Sequence, residues 1–117
     1  MPVARRIIPW ILIFLLVQPA TAAAATAVDL ELALGVDVSG SVDEAEARLQ
    51  RDGYVAALNN QGVVRAIRSG ILQRIAVMYF EWAGDETQSV VVGWTLVYDL
   101  ASARRLAARI SQAPTIR

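Results

Sequence analysis

Three oxygen-bearing side chains stand at alternate positions in one short stretch of the chain: Asp37, Ser39 and Ser41. Gly40 separates the two serines, and Ser-Gly-Ser is typical of a tight turn. A loop that directs these side chains to one point would offer carboxylate and hydroxyl oxygens, the ligands that hard divalent cations prefer. The residue types therefore predict a small metal site built from oxygen alone. The same residues also fit a plain strand-to-helix connection, in which Asp37 binds loop amides and Ser41 caps a helix.

The composition removes most catalytic alternatives. The 117-residue chain contains no histidine and no cysteine, and all of its 11 basic residues are arginine. A Ser-His-Asp or Cys-His unit drawn from this chain is therefore excluded, as is a metal site of thiolates or imidazoles. A hydrolase with Ser39 or Ser41 as nucleophile stays open as an alternative, although no ordinary base is present to activate a serine. The formal net charge of zero predicts no general affinity for nucleic acid.

The segments on either side place the three side chains between a strand and a helix. Large apolar residues alternate with smaller or polar ones over residues 30–37, which predicts a strand that ends near Asp37. Ser41 and Glu44 fit a capping box, so Ser41 is predicted as the N-cap of a helix over residues 44–58.

Further elements follow in an order that is typical of an α/β sheet. They are predicted as a short helix at 62–69, strands at 74–82 and 89–97, and a last helix from Asp99 as N-cap to Pro114. The short connection between the two later strands favours antiparallel pairing. A strand, a helical connection and a second strand suggest a crossover in a sheet whose ligands bind at the carboxyl ends of the strands.

Two further groups of residues are candidates for a functional role. Glu81, Asp85 and Glu86 form an acidic patch that either lies beside the candidate site or, as we expect, belongs to a solvated loop. Trp82 and Trp94 either line a ligand surface or, as is more common for strand aromatics, pack in the core.

The first 25 residues have the layout of a secretory signal peptide. Arg5 and Arg6 precede an apolar run over residues 7–17, and small residues with several A-x-A sites follow. The apolar run has 11 residues, whereas a bilayer span needs about 20. We expect a periplasmic or secreted product; an uncleaved membrane anchor is the alternative.

The stretch LALGVDVSGSVDE resembles the first metal-adhesion motif of von Willebrand factor A-type domains, in which D-x-S-x-S follows the first strand. The later segment RIAVMYFEWAGDETQSVVVGWTLVYD resembles the second and third strands of a bacterial subfamily of unassigned function within that fold. The resemblance covers about residues 28–113. It implies a doubly wound, Rossmann-like α/β sheet and a divalent cation, Mg²⁺ or Mn²⁺. Ser39 and Ser41 would bind the cation through their hydroxyls, and Asp37 directly or through water. The acidic side chain of a protein partner would fill the open coordination position.

The chain also departs from that family's pattern. Complete domains carry a threonine in a later loop, an aspartate in a loop further on, and about six strands. Thr115 lies near where the threonine loop should begin but lacks glycine-rich surroundings, so it is not assigned as a ligand. We therefore expect residues 28–117 to form the N-terminal half of such a domain, truncated to about three strands, with weak metal affinity and no enzymatic activity. A truncated product without function is a further alternative.

Overall fold

A computed structural model describes residues 24–114. Six elements follow one another: strand β1 (Glu31–Asp37), helices α1 (Glu44–Leu58) and α2 (Gln61–Ile67), strands β2 (Ile75–Ala83) and β3 (Thr87–Val97), and helix α3 (Leu100–Gln112). The element order and types agree with the expectation from the sequence. The predicted signal peptide, residues 1–25, lies outside the described residues except for Ala24 and Ala25, and Thr115 lies outside them as well.

The three strands form one mixed sheet in the order β1-β2-β3. β1 and β2 are parallel, and Val36 stands opposite Glu81 in their register. β2 and β3 pair antiparallel, as their short connection predicts, with Ile75 opposite Val97. Gly84 has a φ of +72° in that connection, a backbone conformation that glycine adopts without steric cost. The sheet and its three helices form a small α/β fold that is consistent with part of a Rossmann-like sheet.

One face of the sheet carries the hydrophobic core. Every second residue of β2, from Ile75 to Glu81, is buried on this face because strand side chains alternate between faces. The fully buried side chains of the core come from the sheet and from α3, and they include Val36, Val77, Tyr79, Val92, Leu106 and Ile110. The helix α3 contributes its apolar stripe, while Arg104, Arg105 and Arg109 of the same helix are exposed. Packing of α3 against β3 and α1 therefore fixes how the helices lie on the sheet.

The opposite face of the sheet is apolar and remains largely exposed among residues 24–114. Trp94 keeps 54% of its surface exposed, Val90 61% and Trp82 36%. The expectation that Trp82 and Trp94 pack in the core is therefore wrong. Trp82 lies on the face away from the core cluster, because the buried positions of β2 are the odd-numbered ones. On β3, Trp94 precedes Thr95, which stands opposite the core residue Val77, so Trp94 lies on that same outer face.

Close packing on that face explains the small residue at position 35 of β1. A Cβ atom on Gly35 would lie 2.5 Å from Cζ of Phe80, the residue opposite it on β2. The ring of Phe80 thus lies over the backbone of β1, and a side chain at position 35 would displace it.

Among residues 24–114, no helix is both long and apolar enough to cross a membrane.

Candidate functional site

The loop between β1 and α1 holds the three candidate ligands at the carboxyl end of β1. Asp37 is the last residue of the strand. The next residue, Val38, is buried, and its N–H donates to the carbonyl of Trp82 at 2.9 Å. The N–H of Val42 donates to the carbonyl of Ser39 at 2.9 Å, which closes a turn around Gly40 and Ser41. The loop is thus anchored at both ends, and its polar side chains lie at the surface.

The carboxylate of Asp37 is held in place by its own loop. Its Oδ1 accepts the N–H of Ser39 at 2.8 Å, and the amide of Gln50 on α1 donates to the Asp37 carbonyl at 3.4 Å. The hydroxyl and the N–H of Ser39 stabilise the ionised carboxylate and hold the pKa of Asp37 below its usual value. Asp37 therefore carries its negative charge at neutral pH.

The two serine hydroxyls converge. Oγ of Ser39 and Oγ of Ser41 lie 3.3 Å apart, and the contact is open to solvent. Two neighbouring ligands of an octahedral Mg²⁺ ion with bonds of 2.0–2.1 Å would lie about 3 Å apart. The observed separation fits a hydrogen bond between the two hydroxyls, and it is also close to what a shared cation requires. Together with the Asp37 carboxylate, the loop offers one charged and two neutral oxygen ligands.

The start of α1 differs from the expectation that Ser41 is its N-cap. Asp43 is the N-cap: its Oδ1 accepts the N–H of Glu46 at 2.8 Å, while Oε2 of Glu46 accepts the N–H of Asp43 at 2.9 Å. This reciprocal pair is a capping box displaced by two residues from the predicted one. The physical consequence is that the Ser41 hydroxyl is not used for capping and is available at the loop surface.

The loop fits a weak cation site better than a tight one. Among residues 24–114, no group of three or more acidic, histidine or cysteine side chains is placed to hold a metal ion. Asp37 is the single carboxylate of the D-x-S-x-S stretch, and serine hydroxyls are neutral ligands. A Mg²⁺ ion held by these oxygens would retain several waters, which leaves coordination positions for a ligand from outside.

A buried ion pair near this loop was missed by the sequence analysis. Arg51 on α1 and Glu81 on β2 have side chains that are 9% and 2% exposed, and Nη2 of Arg51 donates to Oε1 of Glu81. The expectation that Glu81 belongs to a solvated acidic loop is wrong, whereas Asp85 and Glu86 are exposed in the turn after β2. The burial of Glu81 could have been predicted from the alternation of side chains along β2, because it places Glu81 on the same face as the core residue Tyr79.

The ion pair also affects its aromatic neighbour. The hydroxyl of Tyr79 lies 3.5 Å from Oε1 of Glu81. Burial, followed by the negative charge of Glu81, raises the pKa of Tyr79 to about 12, so the phenol stays protonated at any physiological pH. Tyr79 is therefore a neutral hydrogen-bonding member of this buried group.

Comparison with known proteins identifies a family. A family model described as a protein of unknown function, DUF1194, matches residues 27–117, which is most of the chain and includes the candidate loop. No curated protein and no solved structure matches the chain. On the strength of the family match, the chain belongs to the DUF1194 family.

Proposed function

We propose that this protein is an exported binding module that resembles a von Willebrand A-type domain and uses a divalent cation at Asp37, Ser39 and Ser41 to bind a protein partner. The observation that carries the proposal is the 3.3 Å separation of the two serine hydroxyls at the carboxyl end of β1. The availability of the Ser41 hydroxyl supports it, because Asp43 caps α1. The match to a family of unknown function names no activity.

In this proposal each ligand has a distinct task. The Asp37 carboxylate supplies the one negative charge and stays ionised because Ser39 stabilises it. The hydroxyls of Ser39 and Ser41 supply neutral oxygens on the exposed side of the loop. A cation with one anionic protein ligand remains electrophilic, and an aspartate or glutamate of a partner protein can complete its coordination. Mg²⁺ and Mn²⁺ are the expected ions, and the affinity is expected to be weak.

A binding role is favoured over hydrolysis by the same contacts. The Ser39 hydroxyl contacts the Ser41 hydroxyl, which cannot act as a general base at neutral pH. The neighbouring Asp37 carboxylate has a lowered pKa and is therefore a weak base. The chain contains no histidine or lysine that could take the proton. We therefore propose no enzymatic reaction for these serines.

Calorimetric titration with Mn²⁺ and Mg²⁺ tests the proposed site. The wild-type protein is expected to bind one ion, and Asp37→Ala and Ser41→Ala are expected to weaken binding by at least about tenfold, or about 1.4 kcal/mol. Ser69→Ala is the matched control, because the Ser69 hydroxyl binds the Ala66 carbonyl at the end of α2, away from the loop. Equal binding by wild type and Asp37→Ala, or no binding by either, would contradict the metal site.

A further inference from the structure

The guanidinium of Arg51 connects three separate parts of the fold. Its Nε donates to Oε1 of Glu81 at 3.1 Å, and Nη2 donates to the same oxygen. Its Nη1 donates to the carbonyl of Ala113, and Nη2 lies 3.4 Å from the carbonyl of Pro114. One side chain of α1 thus binds the end of β2 and the backbone that leaves α3.

The backbone at the end of α3 needs such donors. The last carbonyls of a helix have no partners within the helix. Ala113, the C-cap residue, has extended backbone angles, φ −69° and ψ 142°, so the left-handed glycine cap that often closes a helix is not used here. A positive charge at this position also interacts favourably with the negative end of the helix dipole. Arg51 therefore holds the two carbonyls that directly follow the last turn of α3.

This connection lies at the same edge of the sheet as the candidate loop. Glu81 stands opposite Val36, the residue directly before Asp37. Gln50, which precedes Arg51 on α1, donates to the Asp37 carbonyl. Consecutive residues of α1 thus contact the candidate loop and the segment that follows α3. The second oxygen of Glu81, Oε2, is buried without a hydrogen-bond partner among residues 24–114, so Glu81 is held in place through Oε1.

We infer that Arg51 is a positioning residue: oriented by Glu81, it fixes the chain that leaves α3 at Ala113 and Pro114 beside the carboxyl edge of the sheet. Any effect of this contact on metal binding rests on the function proposed above, in which the Asp37–Ser41 loop at the carboxyl edge of the sheet holds the cation. The contact itself is independent of any metal. A purely stabilising ion pair would be replaceable by apolar residues without consequence for this segment, whereas a positioning residue would not be.

Hydrogen–deuterium exchange separates these two roles. Arg51→Met/Glu81→Leu replaces the pair by apolar residues of similar size, which often preserves stability. We expect this double variant to retain the slow exchange of β2, while the amides of Ile110, Ser111 and Gln112 exchange at least about tenfold faster than in the wild type. Arg51→Lys, which keeps the charge but lacks the planar fork, is expected to show the same local acceleration.

The control for this experiment is Arg48→Met. Arg48 lies on the same helix, its side chain is 71% exposed, and it pairs with Glu44 four residues earlier. It is expected to leave exchange in the last turn of α3 unchanged. Wild-type protection of Ile110 to Gln112 in a folded Arg51→Met/Glu81→Leu variant would overturn the inference, and so would equal acceleration in Arg48→Met.

Calorimetry of the same variants keeps the two proposals apart. A wild-type protein that binds no Mn²⁺ would contradict the proposed function, while the exchange result would still decide the role of Arg51. Normal Mn²⁺ binding by the wild type together with unchanged exchange in the Arg51 variants would contradict only the role inferred for Arg51, and not the proposed function. Accelerated exchange in the double variant is the outcome that we expect, whether or not its Mn²⁺ binding changes.

Discussion

At the scale of single residues, Asp43 caps helix α1, which leaves Ser41 as a candidate metal ligand only. The sequence pattern predicted both roles for Ser41. Ser41-x-x-Glu44 and Asp43-x-x-Glu46 both match a capping box, because the two patterns overlap with a shift of two residues. The sequence offers no physical ground for choosing between them. In the fold, the turn closed by Val42 and Ser39 brings Asp43 to the helix start. The Ser41 hydroxyl is thereby separated from the cap and directed toward Ser39.

This division predicts different effects for two substitutions. Asp43→Ala removes the observed cap and is expected to lower the free energy of unfolding by about 1 kcal/mol. Ser41→Ala removes no cap and is expected to change it by less than about 0.5 kcal/mol. Urea denaturation of both variants measures these differences. A larger loss for Ser41→Ala than for Asp43→Ala would show that Ser41 supports the helix after all.

The burial of Glu81 in an ion pair is not evident from the residue types around it in the sequence. A glutamate near a turn, followed by Asp85 and Glu86, is most simply interpreted as part of a solvated patch. Its burial depends on Arg51, which lies 30 residues earlier, and sequence spacing does not reveal such a pairing. The period-two pattern of β2 could have predicted that Glu81 faces the core, because it places this residue on the face of Val77 and Tyr79. A buried glutamate then requires a partner.

At the scale of elements, most of the architecture follows from local patterns. Apolar alternation predicted β1, and β-branched and aromatic residues predicted β2 and β3 with boundaries within two residues of those observed. Asp99 is the N-cap of α3, as predicted, and its side chain accepts the N–H of Ser102 at 2.7 Å. Register irregularities between β2 and β3 near Tyr79 were not predicted, because they depend on how the two strands pack together.

The cap of α3 makes part of the stability depend on pH. The N–H of Ser102, and then its hydroxyl, hold the pKa of Asp99 below its usual value. A carboxyl whose pKa is lower in the folded state stabilises the fold above its unfolded pKa, about 3.9, and loses that contribution as the pH falls through the folded pKa. Wild-type stability is therefore expected to fall in this acid range.

Asp99→Asn separates this effect from other acid-induced changes. Asparagine can cap the helix but does not titrate, so the stability difference between wild type and Asp99→Asn should shrink as the pH is lowered from about 6 to about 3. Urea midpoints measured across this range give the comparison. A difference that stays constant with pH would contradict the role assigned to the Asp99 charge.

At the scale of the whole molecule, the sheet has one face covered by helices and one apolar face that is largely exposed among residues 24–114. The fold class could be predicted from the alternation of strands and helices. The exposure of Trp82 and Trp94 could not, because an apolar strand residue looks the same in sequence whether its face is covered or open. In a parallel α/β sheet, helices generally cover both faces.

The expected export concerns the chain as a whole and stays a prediction. If residues 1–25 act as a signal peptide, the mature protein should begin after Ala22, Ala25 or Ala27 and be found outside the cytosol. N-terminal sequencing of the protein from fractionated cells determines this. A cytosolic protein that still begins at Met1 would contradict export, and a full-length protein in the membrane fraction would instead support an uncleaved anchor.

The central claim is that the loop from Asp37 to Ser41 holds a divalent cation, and paramagnetic broadening by Mn²⁺ tests it most directly. Substoichiometric Mn²⁺ should selectively broaden the amide resonances of Ser39, Gly40 and Ser41, and excess Mg²⁺ should restore them. Amides of α2, at the other end of α1, should keep their intensity. Uniform weak broadening, or broadening centred on the exposed carboxylates of Asp85 and Glu86, would contradict the claim.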